Sequence, residues 1–124
     1  MSTAKIGQVL ESSPNSILIE VKNASIFEAH KKDFQIGKYL EIDEGNLNKV
    51  VAVIQNIKSN ASDSELKFVI QTQPIGYIEN GIFNRGSALI PSPTEPVAIV
   101  ESSTIDLIYN SNKIHLNIIY KHNK

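Results

Sequence analysis

The chain lacks cysteine and tryptophan altogether, and its charges nearly cancel. Without cysteine it can form no disulfide, no thiolate nucleophile and no cysteine-based zinc site. Lys and Arg total 12 against 13 Asp and Glu, which leaves a formal net charge of −1. A domain that grips nucleic-acid phosphates by itself normally carries a clear positive excess. The composition therefore argues against thiol chemistry and against direct nucleic-acid binding.

Long apolar runs are also missing. No stretch approaches the roughly 20 apolar residues that a membrane-crossing helix needs, and the first residues lack the apolar core of a signal peptide. We therefore expect a cytoplasmic protein with no membrane partner. A length of 124 residues with 41% hydrophobic and 20% charged residues is typical of one globular domain.

What the chain does contain is a series of short runs rich in β-branched residues, separated by turn-forming residues. Such a series predicts an all-β sandwich or barrel of six or seven strands. Closure into a barrel would also remove exposed strand edges. One stretch, Ser25–Phe34, fits either a helical turn or a loop. The predicted strands are Lys5–Leu10, Ile17–Val21, Ile36–Ile42, Val50–Lys58, Leu66–Thr72, Pro96–Glu101 and Ile114–Tyr120.

Motifs for nucleotide hydrolysis and metal binding are not found in the sequence. The Gly37-Lys38 pair is followed by Tyr39 and has no upstream glycine at phosphate-loop spacing. The three histidines are scattered without metal-ligand spacing. We therefore predict no catalytic residue, no cofactor and no metal site, and expect that the chain is not itself an enzyme.

Four acidic residues, Asp33, Glu41, Asp43 and Glu44, gather near Gly45. A catalytic carboxylate pair or a cation site is conceivable there. However, an isolated acidic pair matches no acid/base spacing rule by itself. We favour the interpretation that Glu41 and Asp43 are solvated carboxylates at the end of a strand.

The segment Gln73–Val97 holds three of the six glycines and four of the five prolines. Glycine permits positive φ angles and close backbone approach, while proline fixes φ. We predict one long, structured Gly/Pro loop here, and such loops in small β domains usually carry function. The only arginine, Arg85, could serve a partner or could clamp the loop's own carbonyls. Candidate interface residues are Ile75, Tyr77, Phe83, Arg85, Pro91 and Pro93, although Phe83 fits a core position better than a binding aromatic.

The order of short motifs along the chain resembles the HerA–ATP synthase barrel, the N-terminal barrel shared by HerA-type DNA-translocating ATPases and ATP synthase catalytic subunits. The matching pieces run from about Lys5 to Tyr109. They are Ile6-Gly7-Gln8-Val9, Ile36-Gly37-Lys38-Tyr39-Leu40, Pro74-Ile75-Gly76, Gly81-Ile82-Phe83-Asn84-Arg85-Gly86, Ile90-Pro91-Ser92-Pro93 and Pro96-Val97.

This resemblance implies a closed six-stranded barrel over residues 1–110. It also implies a non-catalytic role in oligomerisation and partner docking, within a hexameric ATPase ring that works with a nuclease or another defence effector. DNA would be reached only through the ATPase. Residues 111–124 would form a terminal strand or a linker toward an ATPase domain that this sequence does not contain.

Two other functions stay open at this point. One is an oligonucleotide-binding type of small barrel that contacts single-stranded nucleic acid through Lys38, Tyr39 or Arg85. The other is an enzyme built on the acidic group.

Overall fold

A computed structural model of the chain describes residues 5–45, 48–62, 65–86, 90–100 and 104–110. Seven strands and two short helices make up these ranges. The elements are β1 (Lys5–Ser13), β2 (Ser16–Val21), α1 (Ala24–Ala29), β3 (Tyr39–Gly45), β4 (Asn48–Ser62), β5 (Glu65–Glu79), β6 (Ile82–Arg85), β7 (Pro96–Ile99) and α2 (residues 104–110).

Six of the strands close into an antiparallel barrel. Their order around it is β2-β1-β7-β3-β4-β5, and β5 pairs back onto β2 to complete the ring. β6 pairs with the far part of β5 and lies outside the ring. The prediction of an all-β, closed six-stranded barrel is confirmed.

The barrel interior is filled by alternate residues of each strand, as the two-residue period of a β-strand requires. On β2 the inward side chains are Ile17, Ile19 and Val21, all fully buried. On β3 they are Leu40 and Ile42, which are fully buried as well. Branched aliphatic residues fit this closely spaced, pleated interior, and their burial is what stabilises the closed form.

The ambiguous stretch after β2 is helical up to Ala29 and continues as turns, and Ile26 and Phe27 of the helix pack on the barrel core. Asn23 begins α1 by accepting a 2.8 Å hydrogen bond from the Ser25 N–H to its side-chain oxygen. The Phe27 ring stacks between the rings of Phe34, at 4.8 Å, and Phe68, at 3.9 Å. These aromatic contacts attach α1 to the core beneath it.

The prediction of a long loop over Gln73–Val97 is wrong for the first half of this segment, which forms a β-hairpin. β5 continues without a break to Glu79, the Asn80-Gly81 turn follows, and β6 begins at Ile82. Asn80 and Gly81 have φ angles of 54° and 75°, the left-handed values of a tight two-residue hairpin turn. Pro74 is accommodated because it sits at a bulge, where the β4–β5 register shifts.

The hairpin between β4 and β5 is longer than predicted. Its strands run to Ser62 and from Glu65, so strand pairing occupies most of the expected polar tip Ser59–Glu65. The predicted strand Ile114–Tyr120, and the predicted linker 111–124 that contains it, lie outside the described residues. Neither helix within the described ranges combines the length and apolar content needed to span a membrane.

Candidate docking surface

A second apolar cluster covers the outside of the barrel wall. Val51 on β4 and Ile78 on β5 point away from the interior, and Phe83 on β6 and Ile108 on α2 pack over them. All four are at most 7% exposed. The part of the wall around Val51 and Ile78 is therefore buried on both faces, and β6 is fixed to it by side-chain packing.

Gly76 lets Phe83 lie against the backbone of β5. A Cβ atom at this position would come within 2.5 Å of Phe83 Cζ and would also collide with the carbonyl oxygen of Asn84. The glycine is thus required for close approach between β5 and β6. This accounts for one glycine that the sequence pattern assigned to a loop.

Replacing Gly76 with alanine should lower the free energy of unfolding by about 1–3 kcal/mol, because the added methyl group overpacks the hairpin. Urea denaturation measures the loss. In a Phe83→Leu background the methyl group still meets the Asn84 carbonyl, so part of the loss should remain. An unchanged denaturation midpoint for Gly76→Ala would show that the hairpin does not pack as described.

Arg85 ends β6 with its guanidinium exposed to solvent. Its Cζ atom lies 5.9 Å from the centre of the Phe83 ring, within the range of a cation–π contact. The guanidinium group itself therefore lies over the Phe83 ring. This contact tests neither interpretation of Arg85, since it involves no carbonyl of the loop and no partner.

The outer edge of β6 is paired with no other strand within the described ranges. Ile82, at the start of this edge strand, is 63% exposed. The Asn84 side-chain amide donates a 3.2 Å hydrogen bond to the Ile82 carbonyl, which faces β5 and not the outer edge. An exposed strand edge with an apolar side chain is a surface to which another strand can add.

The six candidate interface residues do not form one patch. Ile75 and Phe83 belong to the outer cluster, whereas Tyr77 packs against the interior core. Within the single chain Ile75 and Tyr77 are half-buried, Phe83 and Pro91 are buried, and Arg85 and Pro93 are exposed. Ile82 was not among the candidates, although the Asn-Gly turn before it is a hairpin signal visible in the sequence.

Glu41 is buried, so the expectation of a solvated strand-end carboxylate is wrong for this residue. Its side chain is 5% exposed and accepts a 3.0 Å hydrogen bond from Lys49 Nζ. Thr104 Oγ1 donates to the other carboxylate oxygen at 3.2 Å. Glu41 faces outward from β3, and α2 covers it, which the sequence of β3 alone does not reveal.

The other acidic residues lie in different environments. Asp43 is exposed, and its carboxylate accepts a hydrogen bond from the Gly45 N–H at 2.8 Å. Asp33 contacts His30 Nδ1 at 3.9 Å near α1, at the opposite end of β3. Glu44 lies beside Glu95, a partner that sequence analysis missed because β7 is far away along the chain. The acidic group therefore does not converge on one catalytic site.

Residues considered for nucleic-acid binding are also separated. Lys38 and Tyr39 line a cavity of about 300 Å³ together with Ile99, Val100 and Ile105. Arg85 belongs to β6, three places away from β3 in the strand order. Among residues that the structure describes, no group of three or more histidine or acidic side chains could hold a metal ion.

A scan against protein-family models and a search of curated proteins both returned no match to this chain. The functional argument therefore depends on the barrel, the β5–β6 hairpin and the side chains that they expose.

Proposed function

We propose that the chain is a non-catalytic oligomerisation and partner-docking barrel of a HerA-like hexameric ATPase that acts with a nuclease or defence effector. One observation carries the docking role: β6 lies outside the closed barrel and presents an edge with Ile82 exposed. The HerA-like assignment is supported by the resemblance in motif order and by the barrel architecture that this resemblance implies.

The hairpin is suited to docking because it is held firmly. Phe83 fixes β6 to the barrel wall, so the edge beyond it is presented in one conformation and a partner loses little of its binding free energy to ordering this surface. An added strand would bond to the β6 backbone and would contact Ile82 and the Arg85 donors.

A contact through one four-residue strand is small. We expect it to bury less than about 1,000 Å² and to be weak for a single pair of barrels. In a ring with a motor domain, several such contacts act together and the effective concentration of each partner rises to about millimolar. A weak contact between isolated barrels is therefore consistent with a stable contact in the assembled ring.

Changing Ile82 to lysine should abolish self-association of the chain without unfolding it. A charge on an edge strand opposes the addition of a second strand. Sedimentation velocity should show reversible association of the unmodified chain with a dissociation constant of about 0.1–1 mM, and a monomer for Ile82→Lys. Leu10→Lys on β1 is the control, because Leu10 is also exposed, at 44%, but lies away from the hairpin.

Two results would contradict the proposal. One is a chain that stays monomeric at about 1 mM, where a contact of this size should be detectable. The other is an Ile82→Lys variant that associates as strongly as the unmodified chain. Binding of single-stranded DNA at moderate salt, lost on changing Lys38 or Arg85 to alanine, would instead favour the oligonucleotide-binding function.

A further inference from the structure

Two glutamates face each other at the end of the barrel opposite α1. β3 and β7 pair Leu40 with Ile99 and Ile42 with Val97. Continuing this antiparallel register by two residues brings Glu44 opposite Glu95. Side chains two residues apart on a strand point to the same face, so both glutamates lie on the inward face, at the rim.

The two carboxyl groups lie within hydrogen-bonding reach of each other. Burial, followed by the hydrogen bond to Glu95 and by the charges of Glu95 and Asp43, raises the pKa of Glu44 from 4.5 to about 7. Glu44 Oε1 and Glu95 Oε2 are both buried and receive no hydrogen bond from any described residue. A shared proton between the carboxyls is the arrangement that avoids two adjacent buried negative charges.

The charged groups around this pair are predominantly acidic. Asp43 precedes Glu44 on β3 and pairs with Lys49 on β4, whose ammonium is bonded to Glu41 on the outer face. On β1 the inward residue at this end is Ser12, which offers only a hydroxyl, and its oxygen is also buried without a partner. The ion pairs among the described residues include neither Glu44 nor Glu95.

The backbone next to Glu95 is strained. Thr94 has a φ of 74°, an unfavourable value for a β-branched residue. The turn is held by two bonds to β1, since the Thr94 N–H donates to the Val9 carbonyl at 2.8 Å and the Val9 N–H donates to the Glu95 carbonyl at 2.9 Å. The hydrogen bond between the Glu95 and Glu44 side chains joins this strained turn to β3.

We propose that the Glu44–Glu95 pair is a proton-dependent latch that holds the β1–β7–β3 rim of the barrel closed. With one proton shared, the pair ties the strained turn before β7 to the end of β3. When the proton is lost, two carboxylates repel each other across the rim, and the turn at Thr94 is released from β1. This device concerns the barrel rim and is independent of docking through β6.

The direction of the pH effect follows from linkage. The unfolded chain releases the Glu44 proton near pH 4.5, whereas the folded chain keeps it until about pH 7. Stability should therefore fall as the pH rises from about 4.5 to about 7, and then level off. Local opening at the rim should increase over the upper part of the same interval.

The test combines carboxyl-carbon NMR titration with amide hydrogen exchange at pH 5.5 and pH 7.5. In the unmodified chain one glutamate carboxyl should titrate near pH 7. The protection factors are corrected for intrinsic exchange rates. Those of the Val9 and Thr94 amides should fall by about tenfold from pH 5.5 to pH 7.5, which corresponds to about one pKa unit of coupling between the proton and rim closure. The amide of Ile19, in the core of β2, opens only with the whole domain, so its protection should follow the free energy of unfolding and stay above that of Val9 and Thr94.

Glu95→Gln removes one charge and supplies an amide donor to Glu44. Burial still raises the pKa of Glu44 in this variant, but the hydrogen bond and the charge of Glu95 no longer do, so we expect the titration near pH 7 to move toward pH 4.5 and the fall in Val9 and Thr94 protection to shrink. Glu44→Gln removes the high-titrating carboxyl itself, so it should abolish the titration near pH 7 and the pH dependence of Val9 and Thr94 protection that comes from the pair. Glu79→Gln, an exposed glutamate at the end of β5, should behave as the unmodified chain. Titration of every glutamate near its ordinary pKa, or a fall in protection that persists in both rim variants, would overturn the proposal.

Discussion

Replacing Phe83 with alanine should lower the free energy of unfolding by about 3–5 kcal/mol, among the largest effects expected for one substitution in this chain. The ring is 7% exposed and packs on Val51, Ile78 and Ile108, and it lies directly against Gly76. Its removal opens a cavity between β6 and the barrel wall and withdraws the surface on which Arg85 rests. Urea denaturation followed by circular dichroism measures the loss.

Ile82→Ala is the matched control for Phe83→Ala. The two residues are neighbours on the same strand and point to opposite faces, so 63% of Ile82 is exposed while Phe83 is buried. We expect Ile82→Ala to change the free energy of unfolding by no more than about 0.5 kcal/mol. If Phe83→Ala left stability unchanged and abolished self-association, Phe83 would be an exposed anchor at the interface rather than part of the outer cluster.

Ile82 and Phe83 also show which parts of the fold could be predicted from the sequence and which could not. Runs of β-branched residues between turn signals identified the strands, as in Ile17–Val21, and the resemblance in motif order implied a closed barrel. The four-residue strand β6, which contains Phe83, was assigned to a loop. The abundance of glycine and proline there indicated a loop, and it outweighed the Asn80-Gly81 turn signal.

The side-chain pairs at the two polar sites could not be predicted from local sequence. Glu44 meets Glu95 because β7 inserts between β1 and β3, and Glu41 is buried because α2 crosses the outside of β3. Both contacts join residues more than 50 positions apart. The acidic residues near Gly45 were visible in the sequence, but their separation between the inner and outer faces depends on strand direction and on α2.

Changing Lys49 to methionine should lower the free energy of unfolding by about 3 kcal/mol. Methionine keeps the apolar stem and removes the ammonium, so the Glu41 carboxylate is left buried with only the Thr104 hydroxyl as a donor. Removing one partner of a buried ion pair is costly because the remaining charge is neither solvated nor paired. Urea denaturation at pH 7 measures the change.

Two further variants separate loss of the ion pair from loss of a lysine. Lys58→Met alters an exposed lysine on the same strand and should change stability by less than about 0.5 kcal/mol. Glu41→Gln combined with Lys49→Met should recover most of the loss, because a neutral amide can still accept from Thr104 and no unpaired charge stays buried. A loss below about 1 kcal/mol for Lys49→Met would mean that the pair behaves like a solvated surface ion pair. In that case α2 would not shield Glu41 from water, and the outer cluster would be less closed at this end than the contacts of Thr104 indicate.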